Sequence, residues 1–93
     1  MENQGEVVSP QGWYVYILKS AKSGRFYVGY TNDPEARLAK HNDGAVTGSR
    51  YSRPWVLVYT ERYDDAREAR QKEYHLKAQK SPKFLEALVE MGG

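Results

Sequence analysis

The stretch from Trp13 to His41 reads WYVYILKSAKSGRFYVGYTNDPEARLAKH, and its patterning decides the fold. From Trp13 to Leu18 every residue is aromatic, β-branched or Leu, the composition of a strand covered on both faces. Alternation puts Trp13, Val15 and Ile17 on one face and Tyr14, Tyr16 and Leu18 on the other. Ser20 to Gly24 supplies turn residues, and Phe26 to Tyr30 makes the return strand of a hairpin. If the loop holds an even number of residues, with Ser20 opposite Arg25, then Tyr16 and Tyr27 share a face; a slip of one residue separates them. Gly29 leaves an open spot on that face or marks a bulge.

Asp33-Pro34 starts a helix, because the Asp oxygen caps free N–H groups and Pro is tolerated at the first helical position. Arg37 and His41 follow four residues apart and stack on one face of that helix, with Leu38 pointing elsewhere to anchor it. Taken singly, Arg37 reads as a solvated arginine and His41 as a residue placed against the helix dipole.

Outward from this stretch, Met1 to Gly12 has no apolar period and reads as a flexible leader, with one domain over 13–93. Asn42 to Arg53 has little apolar content and reads as a long exposed loop. Its Arg50, Tyr51 and Arg53 suit phosphate contacts with base stacking, as candidate nucleic-acid contacts. Trp55 to Tyr63 is the third strand, entered through Pro54.

Asp64 or Asp65 caps a helix running to about Gln79, with small or apolar positions at Ala66, Ala69 and Leu76. The stripe has room for one more member at position 73, which is a glutamate. A carboxylate there either marks a functional site or sits at the edge of the stripe, paired with Lys77 or Arg70. His75 faces solvent. Ser81-Pro82 opens a last helix, on which Phe84, Leu85, Leu88 and Met91 form the stripe. The expected architecture is α+β, a three-stranded antiparallel sheet flanked by helices.

At 93 residues the chain suits one domain with a modest core. It has no cysteine, which removes disulfides, Cys-based zinc sites and thiol nucleophiles. No apolar run approaches the ~20 residues of a membrane span, and the first residues are unlike a signal peptide, so a cytoplasmic protein without a membrane partner is expected. The net charge of +2 is too small to name a partner by itself.

Tyr14-Val15-Tyr16, Tyr27-Val28-Gly29, Arg37, His41 and Glu73 together resemble the GIY-YIG nuclease family, in the form of a small stand-alone domain protein. Tyr14 stands in place of the family's glycine, and Tyr30 follows the second triplet where some members have lysine. The resemblance implies a three-stranded antiparallel sheet with helices and a divalent-metal-dependent endonuclease acting on DNA phosphodiester bonds. By position, Glu73 would be the ligand of Mg²⁺ or Mn²⁺ and Tyr16 a nucleophile activator or general base. Tyr27 would be a positioning group, Arg37 the phosphate clamp, and His41 would assist the proton transfer.

The residue types suit that chemistry. A lone carboxylate holds Mg²⁺ that keeps most of its own water, and a guanidinium forks onto a phosphate oxygen. A tyrosine with pKa near ~10 serves as a base when Arg37, His41 and a metal lower it. The implied partner is DNA, with RNA open; the sequence leaves open the role, in repair, recombination or defence, and the oligomeric state, monomer or weak homodimer. The rival is a nucleic-acid-binding module that retains the nuclease fold without cutting.

Overall fold

β1 (Trp13–Ser20) lies between β2 (Phe26–Thr31) and β3 (Trp55–Tyr63) in an antiparallel sheet of order β2-β1-β3; the computed structural model describes residues 12–92. β1 takes the centre because Val15 to Leu18 are apolar or aromatic on both sides, and all four are buried. The expected leader over 1–12 lies outside the described residues apart from Gly12.

The hairpin register is the one that unites the tyrosines. Ser20 N–H donates to the Arg25 carbonyl at 2.8 Å, and Gly24 turns the loop at φ +79°. Leu18 therefore pairs with Tyr27 and Tyr16 with Gly29, all on one face. No bulge forms at Gly29. The spot that lacks a side chain is filled by Tyr16, for a Cβ on Gly29 would lie 2.6 Å from Tyr16 Cζ and nearer still to its hydroxyl.

β3 pairs with β1 through an irregularity: Leu57 faces Leu18 and Tyr59 faces Ile17, so Val58 is the extra residue of a β-bulge. Trp55 and Leu57 thus join Tyr16 and Leu18 on one face, while Tyr59 and Tyr63 join Val15 and Ile17 on the other.

Among the described residues, three α-helices and a 3-10 helix cover the sheet. α1 (Pro34–Asn42) is capped by Asp33, whose side chain accepts from Ala36 N–H, and Leu38 packs with Tyr16, Leu18 and Trp55. α2 (Ala66–Gln79), capped by Asp65, buries Ala69 and Leu76 against Val15, Ile17 and Val28 on the opposite face. It ends at Lys80 in the left-handed region, φ 53°, and Ser81 then caps α3 (Pro82–Gly92). No helix among the described residues is long and apolar enough to cross a membrane.

Two expectations need correction. α3 docks through Leu85, Leu88 and Val89, while Phe84 and Met91 are exposed at 41% and 84%. The docked face is the i, i+3, i+4 set, which lies on one side of a helix and meets the core formed by Val15, Ile17 and Leu76. The segment 42–53 is not simply an exposed loop, since Thr47–Ser52 form a 3-10 helix with Ser49 and Ser52 buried. Polar bonds hold it where apolar side chains do not. Trp55 Nε1 donates to Ser49 O at 2.9 Å, and Ser20 Oγ donates to Ser52 O at 2.6 Å. Asn42 pairs with both backbone groups of Trp55, at 2.7 and 3.1 Å.

Candidate active site

β1, β2 and α1 converge on the face that carries Tyr16. Its ring runs over Gly29 and stacks with Tyr27, centroids 6.5 Å apart at 21°. His41, in the last turn of α1, points inward and is fully buried against Tyr27 and Trp55, with ring centroids 4.5 and 6.4 Å away. It is not the exposed partner of a helix dipole.

Both imidazole nitrogens are engaged. Ser49 Oγ donates to Val46 O at 3.3 Å and lies 2.7 Å from His41 Nδ1, so its oxygen is free to accept an N–H from that nitrogen. Nε2 then accepts from the Tyr16 hydroxyl at 3.0 Å. The network assigns this tautomer: Tyr16 donates to His41, which donates to Ser49, which donates to the backbone. Burial, and after it the charge of Arg37, lowers the His41 pKa to about 4, so the ring is neutral at ordinary pH.

Arg37 Nε donates to the same Tyr16 oxygen at 3.4 Å. That hydrogen bond is the largest cause of a raised Arg37 pKa, with Tyr27 adding to it. The Tyr16 phenol, by contrast, is pushed up: burial outweighs the lowering by Arg37, and Tyr27 and Glu73 add to the rise. The expected lowering by Arg37 is present, but it loses to desolvation of a side chain only 1% exposed.

Glu73 comes from the other layer. α2 follows the β2 edge, so its flank overhangs the tyrosine side, where Lys77 Nζ sits 5.9 Å above the Tyr27 ring. Glu73 Oε2 pairs with that ammonium at 2.9 Å, its own side chain being 18% exposed. The i, i+4 pair with Lys77 thus forms, with Glu73 part-buried and not out on the surface. Among the described residues no group of three or more His, Asp or Glu side chains is disposed to hold a metal. What Glu73 offers is one carboxylate at a place already accepting a cation, which suits Mg²⁺ that keeps its waters and takes further oxygens from a substrate.

Arg50, Tyr51 and Arg53 fall on the 3-10 helix and just after it. With Lys22 and Asn42 they line a hollow of ≈ 420 Å³. Tyr51 is 79% exposed, and the buried Nε of Arg50 has no partner among the described residues. Lys22 Nζ and Arg53 Nε, in contrast, hold the carbonyls of Tyr51 and Arg50. The site residue that sequence reasoning missed is Ser49. A serine between glycine and arginine in a polar run carries no periodic signal, and only the packing of His41 gives it a role.

The sheet order and the register that sets two tyrosines side by side define a class, and comparison with known proteins agrees on it. The family model described as the GIY-YIG catalytic domain matches residues 12–86. A UPF0213 protein of Staphylococcus saprophyticus is 41% identical over 80 residues, covering 83% of this chain and 94% of that one. A UPF0213 protein of Clostridium perfringens is 45% identical over 67 residues, 69% of each. The solution NMR structure of a UPF0213 protein from Bacillus halodurans is 39% identical, covers 87% of this chain and 85% of that one, and superposes with a TM-score of 0.55. The chain therefore belongs to the GIY-YIG family, a nuclease family, and within it to the small UPF0213 proteins.

Proposed function

We propose that this protein is a divalent-metal-dependent endonuclease that hydrolyses phosphodiester bonds in DNA. The observation that carries the reading is the relay Tyr16–His41–Ser49 with Arg37 on the same phenol oxygen. A water aligned on the phosphorus gives its proton to the Tyr16 oxygen as the phenol proton passes to His41 Nε2, so tyrosine is restored and imidazolium forms. Burial first and Arg37 second oppose that charge on His41. A phosphate docking on Arg37 offsets the second of these, and Ser49 keeps Nε2 as the accepting nitrogen.

Arg37 presents a planar fork to a non-bridging oxygen. Glu73 would hold Mg²⁺ or Mn²⁺, and the bound metal would supply neutralisation of the charge that builds on the phosphate and the departing oxygen. Lys77, whose ammonium pairs with Oε2 of that carboxylate at 2.9 Å, would stand beside the metal and the substrate. Arg50, Tyr51 and Arg53 would follow the strand away from the cut, with electrostatic contacts that serve DNA and leave RNA possible.

The ion pair at Glu73 favours one alternative, a nucleic-acid-binding module in which the carboxylate serves only to place Lys77. The two separate in a cleavage assay on labelled single-stranded, duplex, flap and junction DNAs with Mg²⁺ or Mn²⁺. Cutting is expected to stop with EDTA and to fall about 10²–10³-fold in Glu73→Ala and Tyr16→Phe, the scale of removing one group that stabilises the transition state, while DNA binding persists. Folded wild type that binds all of these DNAs and cuts none would establish the alternative.

A further inference from the structure

Beyond the tyrosines, between the β1–β2 hairpin and the junction of α2 with α3, lies a groove of ≈ 570 Å³, most of whose lining residues the cleavage chemistry does not use. We infer that it is a pocket for one unpaired nucleotide of a nucleic-acid strand, beside the bond to be cut. This inference rests on the proposed nuclease reading and supplies its substrate class.

Three observations carry it. The groove is continuous with the site, because Tyr27 and Lys77 line both. Its floor is apolar, made by Phe26, Val28, Leu76 and Leu85, and its size suits a small ligand with a flat ring system. Its rim carries Arg25, Lys77 and Lys80; Lys77 is paired with Glu73, and the lining itself holds no carboxylate, so Arg25 and Lys80 are the rim cations without a carboxylate partner among the lining residues. A flat apolar body with an anionic tail is the complement of such a surface, and a nucleotide has that form. Ser23 and Ser81 are also among the lining residues; each Oγ accepts a backbone N–H, from Arg25 and Phe84, and keeps its O–H to donate to a base edge. A paired base is held in its stack and cannot enter without being turned out of the helix, so the groove favours single-stranded or locally open substrates.

The test uses the full chain in EDTA, which prevents cutting, with a fluorescein-labelled single-stranded 12-mer and a blunt duplex of two 12-mer strands as probes. Arg25→Gln with Lys80→Asn removes two rim cations; asparagine tolerates the left-handed backbone of Lys80, φ 53°. Lys80→Asn alone serves if the double variant melts early, since Arg25 also donates to Ser52 Oγ. Affinity for the single strand is expected to fall about tenfold at moderate salt, and its salt slope by about 1.4 for two phosphates no longer neutralised. Affinity for the duplex should change less than about twofold, because its bases stay paired and stacked.

Equal losses on both probes would overturn the inference by reducing the rim to general electrostatics. No loss on either would overturn it as well and leave the groove to a protein segment. The nuclease reading is scored separately on the same preparations. Strand-selective loss in the rim variants, with a wild type that never cuts, would retain the groove and remove the enzyme, whereas cutting abolished by Glu73→Ala with equal losses on both probes would do the reverse.

Discussion

Gly29→Ala tests whether the ring of Tyr16 is held by the strand beneath it. The new Cβ would lie 2.6 Å from Cζ and 2.8 Å from Cε1 of Tyr16, whereas carbon atoms meet at about 3.5–4.0 Å. The ring must therefore retreat by roughly 1 Å, and it has nowhere easy to go. Tyr27 stacks on one side and His41 holds the hydroxyl at 3.0 Å. Overpacking of this kind costs about 1–3 kcal/mol, which lowers Tm by roughly 5–20 °C in a domain of this size. A displacement of ~1 Å at a reacting group also costs on the order of 10²-fold in rate. The assay is thermal and urea unfolding of Gly29→Ala, Tyr16→Leu and the double variant, alongside cleavage by Gly29→Ala. Leucine lacks the outer ring atoms that meet the new methyl, so Gly29→Ala should cost under about 0.5 kcal/mol in that background, the scale at which separate changes simply add. Equal costs in the two backgrounds, or unchanged stability of Gly29→Ala, would refute the close packing of ring over glycine.

Ser49→Ala leaves the buried His41 Nδ1–H without its acceptor and should destabilise by about 1–3 kcal/mol in urea titrations; cleavage should fall while DNA affinity holds. His41, held at about 4 against an ordinary value of 6.5, binds fewer protons folded than unfolded between those limits. Its neutral burial therefore favours the fold fully above about pH 6.5 and loses roughly 3 kcal/mol as pH falls toward 4. His41→Gln should flatten the pH dependence of urea midpoints between 7.5 and 4.5, and parallel curves would contradict the assignment. Arg50→Gln with Arg53→Gln should weaken DNA binding across sequences and lower the salt slope by about 1 for each phosphate left without its arginine, measured by titration at several salt concentrations.

Much of this arrangement is legible in the residues themselves. Period-two patterning in Trp13–Leu18, with a loop of even length, places Tyr16 and Tyr27 together, and the backbone follows that register. Asp33-Pro34 sets the start of α1 and hence the stacking of Arg37 and His41. Glu73 stands out because it breaks an apolar stripe, and Lys77 is the partner that i, i+4 spacing allows. The 3-10 helix is hidden for a physical reason: it is ordered by hydrogen bonds to Ser20, His41 and Trp55, and no local hydrophobic pattern encodes them. The direction of the Tyr16 pKa is hidden on similar grounds. A cationic neighbour can be inferred from spacing, whereas the depth of burial that outweighs it depends on the assembled layers.

The bulge at Val58 has a consequence for how this chain tolerates change in length. Every odd position of β3 from Trp55 to Tyr63 except Glu61 is apolar or aromatic, a parity that in an unbroken strand would spend them all on one layer. The extra residue reverses parity midway, so one nine-residue strand furnishes Trp55 to the tyrosine side and Tyr59 and Tyr63 to the helices behind. Deleting one residue between Leu57 and Tyr59 would exchange those allegiances for half the strand. Insertions and deletions there are therefore a matter of layer identity, while the hairpin tip at Lys22–Ser23 leaves both layers as they are provided residues are added in pairs.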